Sequence, residues 1–190
     1  MLKAIIFDCF GVLYPVYIDD WFANNKTKFT VDTDTLDKLN LQIDLGQISQ
    51  REFYEAISRE IKLPVELIQN EIEQNIALDT KLISLIKKLK EKYAIGLLSN
   101  AGKEEIDIIY RDKIDGLFDA LAISYEVKSV KPNTQIFLIC LERLGAEAQE
   151  ALFVDDNMTN IKAAQEIGLR TLYYPKFGNI PKDLTELARF

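Results

Sequence analysis

Histidine is absent from this chain of 190 residues. Imidazole is the usual general base near neutral pH and a frequent zinc ligand, so Ser-His-Asp triads, His-activated thiols and His-containing zinc sites are excluded at once. Cysteine is scarce too, with Cys9 and Cys140 alone. Two thiols set in apolar segments make no disulfide framework and read as reduced, structural residues. Basic residues are in the minority: 23 Lys and Arg against 30 Asp and Glu leave a net charge of −7. That balance argues against a nucleic-acid partner, whose phosphate backbone selects clustered cations. The dense basic stretch at Lys87, Lys88, Lys90 and Lys92 is interleaved with Leu85, Ile86 and Leu89, as on the solvated face of an amphipathic helix. Long apolar runs are missing as well. The run after Met1-Leu2-Lys3 breaks at Asp8, which predicts no secretory signal, no membrane span and a cytoplasmic location.

Apolar residues make up 48% of the chain, enough for a buried core with room for a sizeable insertion. Leu2, Ala4, Ile5, Ile6 and Phe7 form a short apolar run that stops at Asp8, and Ala151, Leu152, Phe153 and Val154 stop in the same way at Asp155-Asp156. Such runs mark buried parallel strands, and ligands of open α/β sheets bind beyond the strands' carboxyl ends. Between Pro15 and Asp79 no strand-like run occurs, and apolar spacing predicts helices over residues 32–45, 50–61 and 64–76, with Pro64 at a first helical position. Beyond Asp79 helix and strand alternate. Helices are predicted over residues 80–92, 104–109, 134–144 and 160–167, and strands over residues 94–98, 120–124, 152–154 and 171–174. The pattern predicts an α/β fold whose first strand belongs with the second half of the chain. The expected division is a core of residues 1–14 and 80–190 and a helical cap of residues 15–79 that overhangs the sheet. Gly178, Asn179 and Pro181 mark an exposed turn.

Three carboxylates, on Asp8, Asp155 and Asp156, are thereby delivered to one end of the sheet. Like charges about 4 Å apart repel by roughly 4 kcal/mol at an effective dielectric near 20, and a divalent cation relieves that repulsion. Oxygen-only ligands suit Mg²⁺, often completed by a substrate phosphate, and an Asp beside the metal can attack phosphorus. For one Asp after one strand, a helix cap or a turn is the simpler role; the second acidic strand end is what favours a site. Ser99-Asn100 end another predicted strand, where they suit either hydrogen bonds to a phosphoryl oxygen or an N-cap. Lys128 and Lys131 precede a helix, placed either to neutralise such a site or to face solvent.

In chain order, Phe7-Asp8-Cys9-Phe10-Gly11-Val12-Leu13, Leu98-Ser99-Asn100, Lys131-Pro132 and Val154-Asp155-Asp156 through Asn160 and Ala163-Ala164 resemble the four motifs of the haloacid dehalogenase-like hydrolase superfamily. The resemblance covers essentially the whole chain. Residues 15–79 sit where that family carries a small helical cap of the first type, and Leu45-Gly46-Gln47-Ile48-Ser49 before Phe53 is similar to a cap segment of some phosphatase-like members. The resemblance implies a Rossmann-like parallel sheet sandwiched by helices, with the cap inserted. It implies Asp8 as nucleophile and Mg²⁺ ligand, Ser99 and Asn100 as binders of the transferred group, and Lys131 as the charge screen. It further implies Asp155, Asp156 and the main-chain oxygen of Phe10 as metal ligands, directly or through water.

Phe10 departs from the family's pattern, because phosphatases of the family place a second Asp there to protonate the leaving oxygen and activate water. A positioned general acid contributes typically ~10²–10⁴-fold. Three functions follow. The first is a Mg²⁺-dependent phosphatase acting on a small phosphorylated molecule through an aspartyl-phosphate at Asp8. The second is a low-activity or non-catalytic phospho-ligand binder. The third is a haloacid-type dehalogenase, which needs no leaving-group protonation but gains nothing from the Asp155-Asp156 pair. Receiver domains of signalling proteins use similar parts, with the acidic pair at the first strand rather than the last. Tyr17, Trp21, Lys26, Lys28, Arg51 and Tyr54 are the cap's candidates for substrate specificity, with a core role the simpler one for the aromatics. Nothing in the sequence selects an oligomeric state.

Overall fold

A computed structural model describes residues 1–25, 31–73 and 76–188. Strand β1 (Ala4–Phe7) is apolar throughout because both its faces are covered. The chain then leaves the sheet for helices α1 (Tyr17–Asn25), α2 (Thr33–Asp44), α3 (Gln50–Ile61) and α4 (Val65–Glu73). Their ends are set locally. Asp32 accepts from the Thr35 N–H, and Ser49 and Glu52 close a capping box on α3. Gly46, at φ 62°, turns the chain out of α2. Pro64 stands one residue ahead of α4 rather than at its first position, and its carbonyl accepts from the N–H groups of Leu67 and Ile68.

Alternation then sets in with α5 (Thr80–Leu89), β2 (Ala94–Ser99), α6 (Lys103–Arg111), β3 (Ala120–Ile123), α7 (Ser124–Val127) and α8 (Thr134–Leu144). It ends with β4 (Ala151–Asp155), α9 (Met158–Glu166), β5 (Arg170–Tyr173) and α10 (Lys182–Leu187). Ser124, expected at a strand end, instead opens the one-turn α7. Helix α10 was not expected from the pattern; Leu184, its single fully covered apolar residue, docks it on the core. Lys87, Lys88 and Lys92 are exposed as expected, and Lys90 pairs with Asp119.

All strand pairings are parallel, in the order β3-β2-β1-β4-β5. Side chains of β1 alternate between layers: Ile5 and Phe7 pack with Leu82, Ile86 and Ile109, while Ala4 and Ile6 pack with Phe137, Cys140 and Ala164. Helices therefore sandwich the sheet. Each such Ile or Phe contributes about 1.5–3 kcal/mol on burial. Burial pushes the Cys140 thiol up to about 12, in keeping with a structural role. The cap helices bury a third cluster of their own, around Trp21, Phe53, Tyr54, Ile57 and Ile68. Among the described residues no helix is long and apolar enough to cross a membrane.

Among the described residues, hydrogen bonds tie the cap to the core in two places. Where the chain returns, the Asp79 N–H donates to Leu13 O at 2.9 Å, and Asp79 Oδ1 caps α5. On the far side, Ser124 Oγ donates to Asp44 O at 2.6 Å and Lys128 Nζ to Leu45 O at 2.8 Å. Lys128 thus holds the end of α2 and not the carboxylates.

Candidate active site

From β1 the strand order runs one way to β2 and β3 and the other way to β4 and β5. Such a reversal opens a crevice at the carboxyl ends of the two central strands. Asp8 follows β1 directly, Asp155 ends β4, and Asp156 comes next. The register pairs Phe7 with Val154, and the Asp8 N–H donates to Val154 O at 2.9 Å, so the acids reach the same level. One oxygen from each of Asp8, Asp155 and Asp156 lies within 4.8 Å of the other two.

Lys131 enters from the loop before α8. Its Nζ is 2.5 Å from Asp8 Oδ1 and 2.9 Å from Asp155 Oδ2, with the side chain 2% exposed. Asn100 fixes its backbone reciprocally: the Lys131 N–H donates to Asn100 Oδ1 at 2.7 Å, and Asn100 Nδ2 donates to Lys131 O at 3.0 Å. Asp155 is fully buried and saturated. Its Oδ1 accepts from the Asn157 N–H at 2.7 Å, and Asn160 Nδ2 bridges both its oxygens at 3.2 and 3.1 Å. Asp8 Oδ1 also accepts from the Cys9 N–H at 2.7 Å. Gly11 lies against Asp156 at φ 93°, and a Cβ there would overlap the Asp156 carboxylate. Glycine is needed for both the backbone conformation and the space.

One ammonium therefore serves a cluster of three carboxylates, paired with the buried Asp8 and Asp155 while Asp156 is half-buried at the cavity. Burial pushes the Asp8 carboxyl well above its usual range; Lys131 opposes the rise, and Asp155 and Asp156 add to it. Burial acts to lower Lys131, but the charges of Asp155 and Asp8 outweigh it and keep the ammonium protonated. Burial, reinforced by Asp8, also pushes the Cys9 thiol well up, so no thiolate nucleophile forms there. Surplus negative charge on oxygen-only donors is the chemistry that suits a hard divalent cation, and these residues fit Mg²⁺.

A cavity of about 490 Å³ opens onto Asp8, Lys131 and Asp156. Phe10, Val16, Asn100, Asn160, Met158 and Tyr173 also line it. Ser99 is fully buried, and its hydroxyl donates to Asn100 O at 3.3 Å. Trp21 and Tyr54 belong to the cap's own cluster, where Trp21 Nε1 donates to Glu71 at 2.9 Å. Arg51 is exposed and paired with Glu55, and with Tyr54 it lines a separate cavity of about 290 Å³. Tyr17 opens α1, and Lys26 and Lys28 lie outside the described residues. Sequence reasoning missed Val16, Met158 and Tyr173. Tyr173 had a signal, since it ends β5 as Asp155 ends β4.

A profile of the haloacid dehalogenase-like hydrolases matches residues 2–168. The chain belongs to this family. The hydrolase is 26% identical to a sesquiterpene phosphatase of Aspergillus oryzae, over 90% of this chain and 89% of that protein. It is 24% identical to drimenol cyclase of Aspergillus calidoustus over 98% of this chain, and it spans 37% of the cyclase's length. A HAD family enzyme from Bacteroides thetaiotaomicron, solved in complex with magnesium and inorganic phosphate, superposes with a TM-score of 0.76. That structure is 28% identical, covering 97% of this chain and 99% of its own. The Rossmann-like sheet with a helical cap is the fold of this hydrolase.

Proposed function

We propose that the hydrolase is a Mg²⁺-dependent phosphatase that releases phosphate from a small phosphorylated molecule through an aspartyl-phosphate at Asp8. The observation that carries this reading is the meeting of Asp8, Asp155 and Asp156 with Lys131 locked between two of them. A phosphatase among the relatives and a neighbour holding magnesium and phosphate support it.

Asp8, the main-chain oxygen of Phe10 and Asp156 would hold the cation. Asp155, saturated by Lys131, Asn157 and Asn160, would orient it through water. When bound, the cation supplies positive charge to the phosphoryl oxygens. An Asp8 oxygen bonds to phosphorus as the ester P–O bond breaks. Lys131 opposes the burial-driven rise of the Asp8 carboxyl and screens its approach, and Asn100, which lines the cavity, orients the phosphoryl group, while the buried Ser99 supports Asn100 from behind. Phe10 has no proton to give, so the leaving oxygen takes one from solvent. Water then attacks phosphorus, freeing phosphate and restoring Asp8. Residues 15–79 act as the cap over a core of residues 1–14 and 80–190, in a cytoplasmic protein.

Phe10 supports one other reading, a phospho-ligand binder with residual turnover. Dehalogenation is disfavoured, because Asp155 and Asp156 would repel a haloacid's carboxylate. The test is release of phosphate from acetyl, p-nitrophenyl and alkyl phosphates. The expected result is Mg²⁺-dependent release, fastest from acyl and aryl esters, and lost with a chelator or in Asp8→Asn. No metal-dependent release from any of them would overturn the phosphatase.

A further inference from the structure

The register of β2 and β3 pairs Ser99 with Ile123, so the residues that leave these strands, Asn100 and Ser124, emerge at the same level. Ser124 is fully buried, and its hydroxyl sits between core and cap. It accepts from the Ala101 N–H at 2.9 Å and donates to Asp44 O, at the end of α2, at 2.6 Å. A serine hydroxyl has one proton to give. The other acceptor in reach, Ala101 O, is 3.3 Å away, so the proton goes to the cap.

The last turn of α2 has no slack in this seat. A Cβ on Gly102 would stand 2.7 Å from Ile43 Cγ1, so glycine is what lets α2 come this close to the segment after Ala101. On the other flank a Cβ on Gly46 would stand 3.2 Å from Tyr125 Cβ and 3.1 Å from Nζ of Lys128, the ammonium that donates to Leu45 O. Residues 43–46 thus meet the β2–α6 turn on one side and α7 on the other.

From Ser124 the constraint passes inward. The Ala101 N–H belongs to the planar peptide unit that Ala101 shares with Asn100, so fixing it fixes the plane that holds Asn100 Cα. Asn100 grips the Lys131 backbone with both its amide atoms, and Lys131 holds Asp8. Resting on the phosphatase reading, in which Asn100 and Lys131 serve the transferred group, we propose that Ser124 is a positioning residue. It makes the seating of α2 on the core a condition for the phosphoryl-binding geometry of Asn100 and Lys131. When α2 lifts, the proton is released to turn to Ala101 O, and the Asn100–Ala101 peptide loses its fixed orientation. A cap that is not seated therefore leaves a loosened phosphate site.

The experiment is calorimetric titration of inorganic phosphate into protein saturated with Mg²⁺, which reads affinity and bound fraction separately. Ser124→Ala should weaken the phosphate Kd about tenfold, and Asn100→Ala should weaken it too, yet the double variant should bind no more weakly than Asn100→Ala alone. Gly46→Ala is an exposed substitution that disturbs the seat and leaves Ser124 in place. It should weaken Kd in the wild-type background and have no further effect beside Ser124→Ala. If Ser124→Ala fails to fold, Gly46→Ala with Asn100→Ala makes the same cycle. A merely structural serine would lower the urea midpoint or the bound fraction and leave Kd unchanged. That result, or losses that add in the double variant, overturns the positioning role. Acetyl phosphate separates the two claims. Its Mg²⁺-dependent hydrolysis with an unchanged Kd overturns positioning alone, while a weakened, non-additive Kd without hydrolysis overturns the phosphatase and leaves the coupling. Wild-type protein that binds no phosphate overturns both.

Discussion

Phe10 stands two residues beyond the carboxylate that β1 delivers, half-buried against both core and cap. The consequence is chemical: leaving groups that cannot depart as anions go unassisted. Phe10→Asp should raise turnover of alkyl phosphates by up to roughly 10²-fold and change acetyl phosphate far less, as steady-state rates will show. Unchanged alkyl turnover would mean that another group already supplies the proton. Lys131 is the opposite case, a residue whose loss removes compensation. Taking one partner out of a buried ion pair costs about 3–5 kcal/mol, since Asp8 and Asp155 would remain buried and uncompensated. Lys131→Ala should therefore lower the urea midpoint sharply, with Mg²⁺ restoring part of the loss. A midpoint equal to wild type would show that the carboxylates simply take up protons.

The turn from α5 into the sheet is held by Asp119, whose carboxylate accepts from Lys90 Nζ at 2.6 Å and from the Ile95 N–H at 2.8 Å. Burial acts to raise Asp119, but these two donors outweigh it and hold the carboxyl below its ordinary value. A depressed folded value means that the contribution is present above the unfolded carboxylate pKa, near ~3.9, and is lost as pH falls through the folded one. The pair is part-exposed, so its worth at pH 7 is at most about 1 kcal/mol. Asp119→Asn should cost that much at neutral pH, and the gap to wild type should close in acid. Urea midpoints across pH measure it, and a gap that does not change with pH would refute the assignment. Cap helix α2 is tied differently, through its own terminal carbonyls. Ser124 and Lys128 supply donors to Asp44 and Leu45, which a helix end lacks internally.

Taken whole, the molecule draws Asp8 and Asp156 from opposite ends of the chain to one position, so a cation there stabilises the folded state against the unfolded one. At a hundredfold its Kd, Mg²⁺ should add ~2.7 kcal/mol, raising Tm by roughly 5–10 °C for a chain of this size. Asp156→Asn should abolish the shift; an unchanged Tm for wild type at saturating Mg²⁺ would argue against the site. The strands and their terminal acids were legible in the amino-acid order because a parallel strand buried on both faces is a short apolar run, and the acid that stops it stands out. Every strand end lies within one residue of its expected place. Other features were not legible: the grip of Asn100 on Lys131 across 31 residues, Ser124 on Asp44 across 80, and Lys128 on Leu45 across 83. The same holds for the inward turn of Ser99. Periodicity reports which face of an element is covered, since that depends on neighbours a few positions away. Which groups meet across the crevice depends on how separately formed layers pack, and no local pattern encodes that.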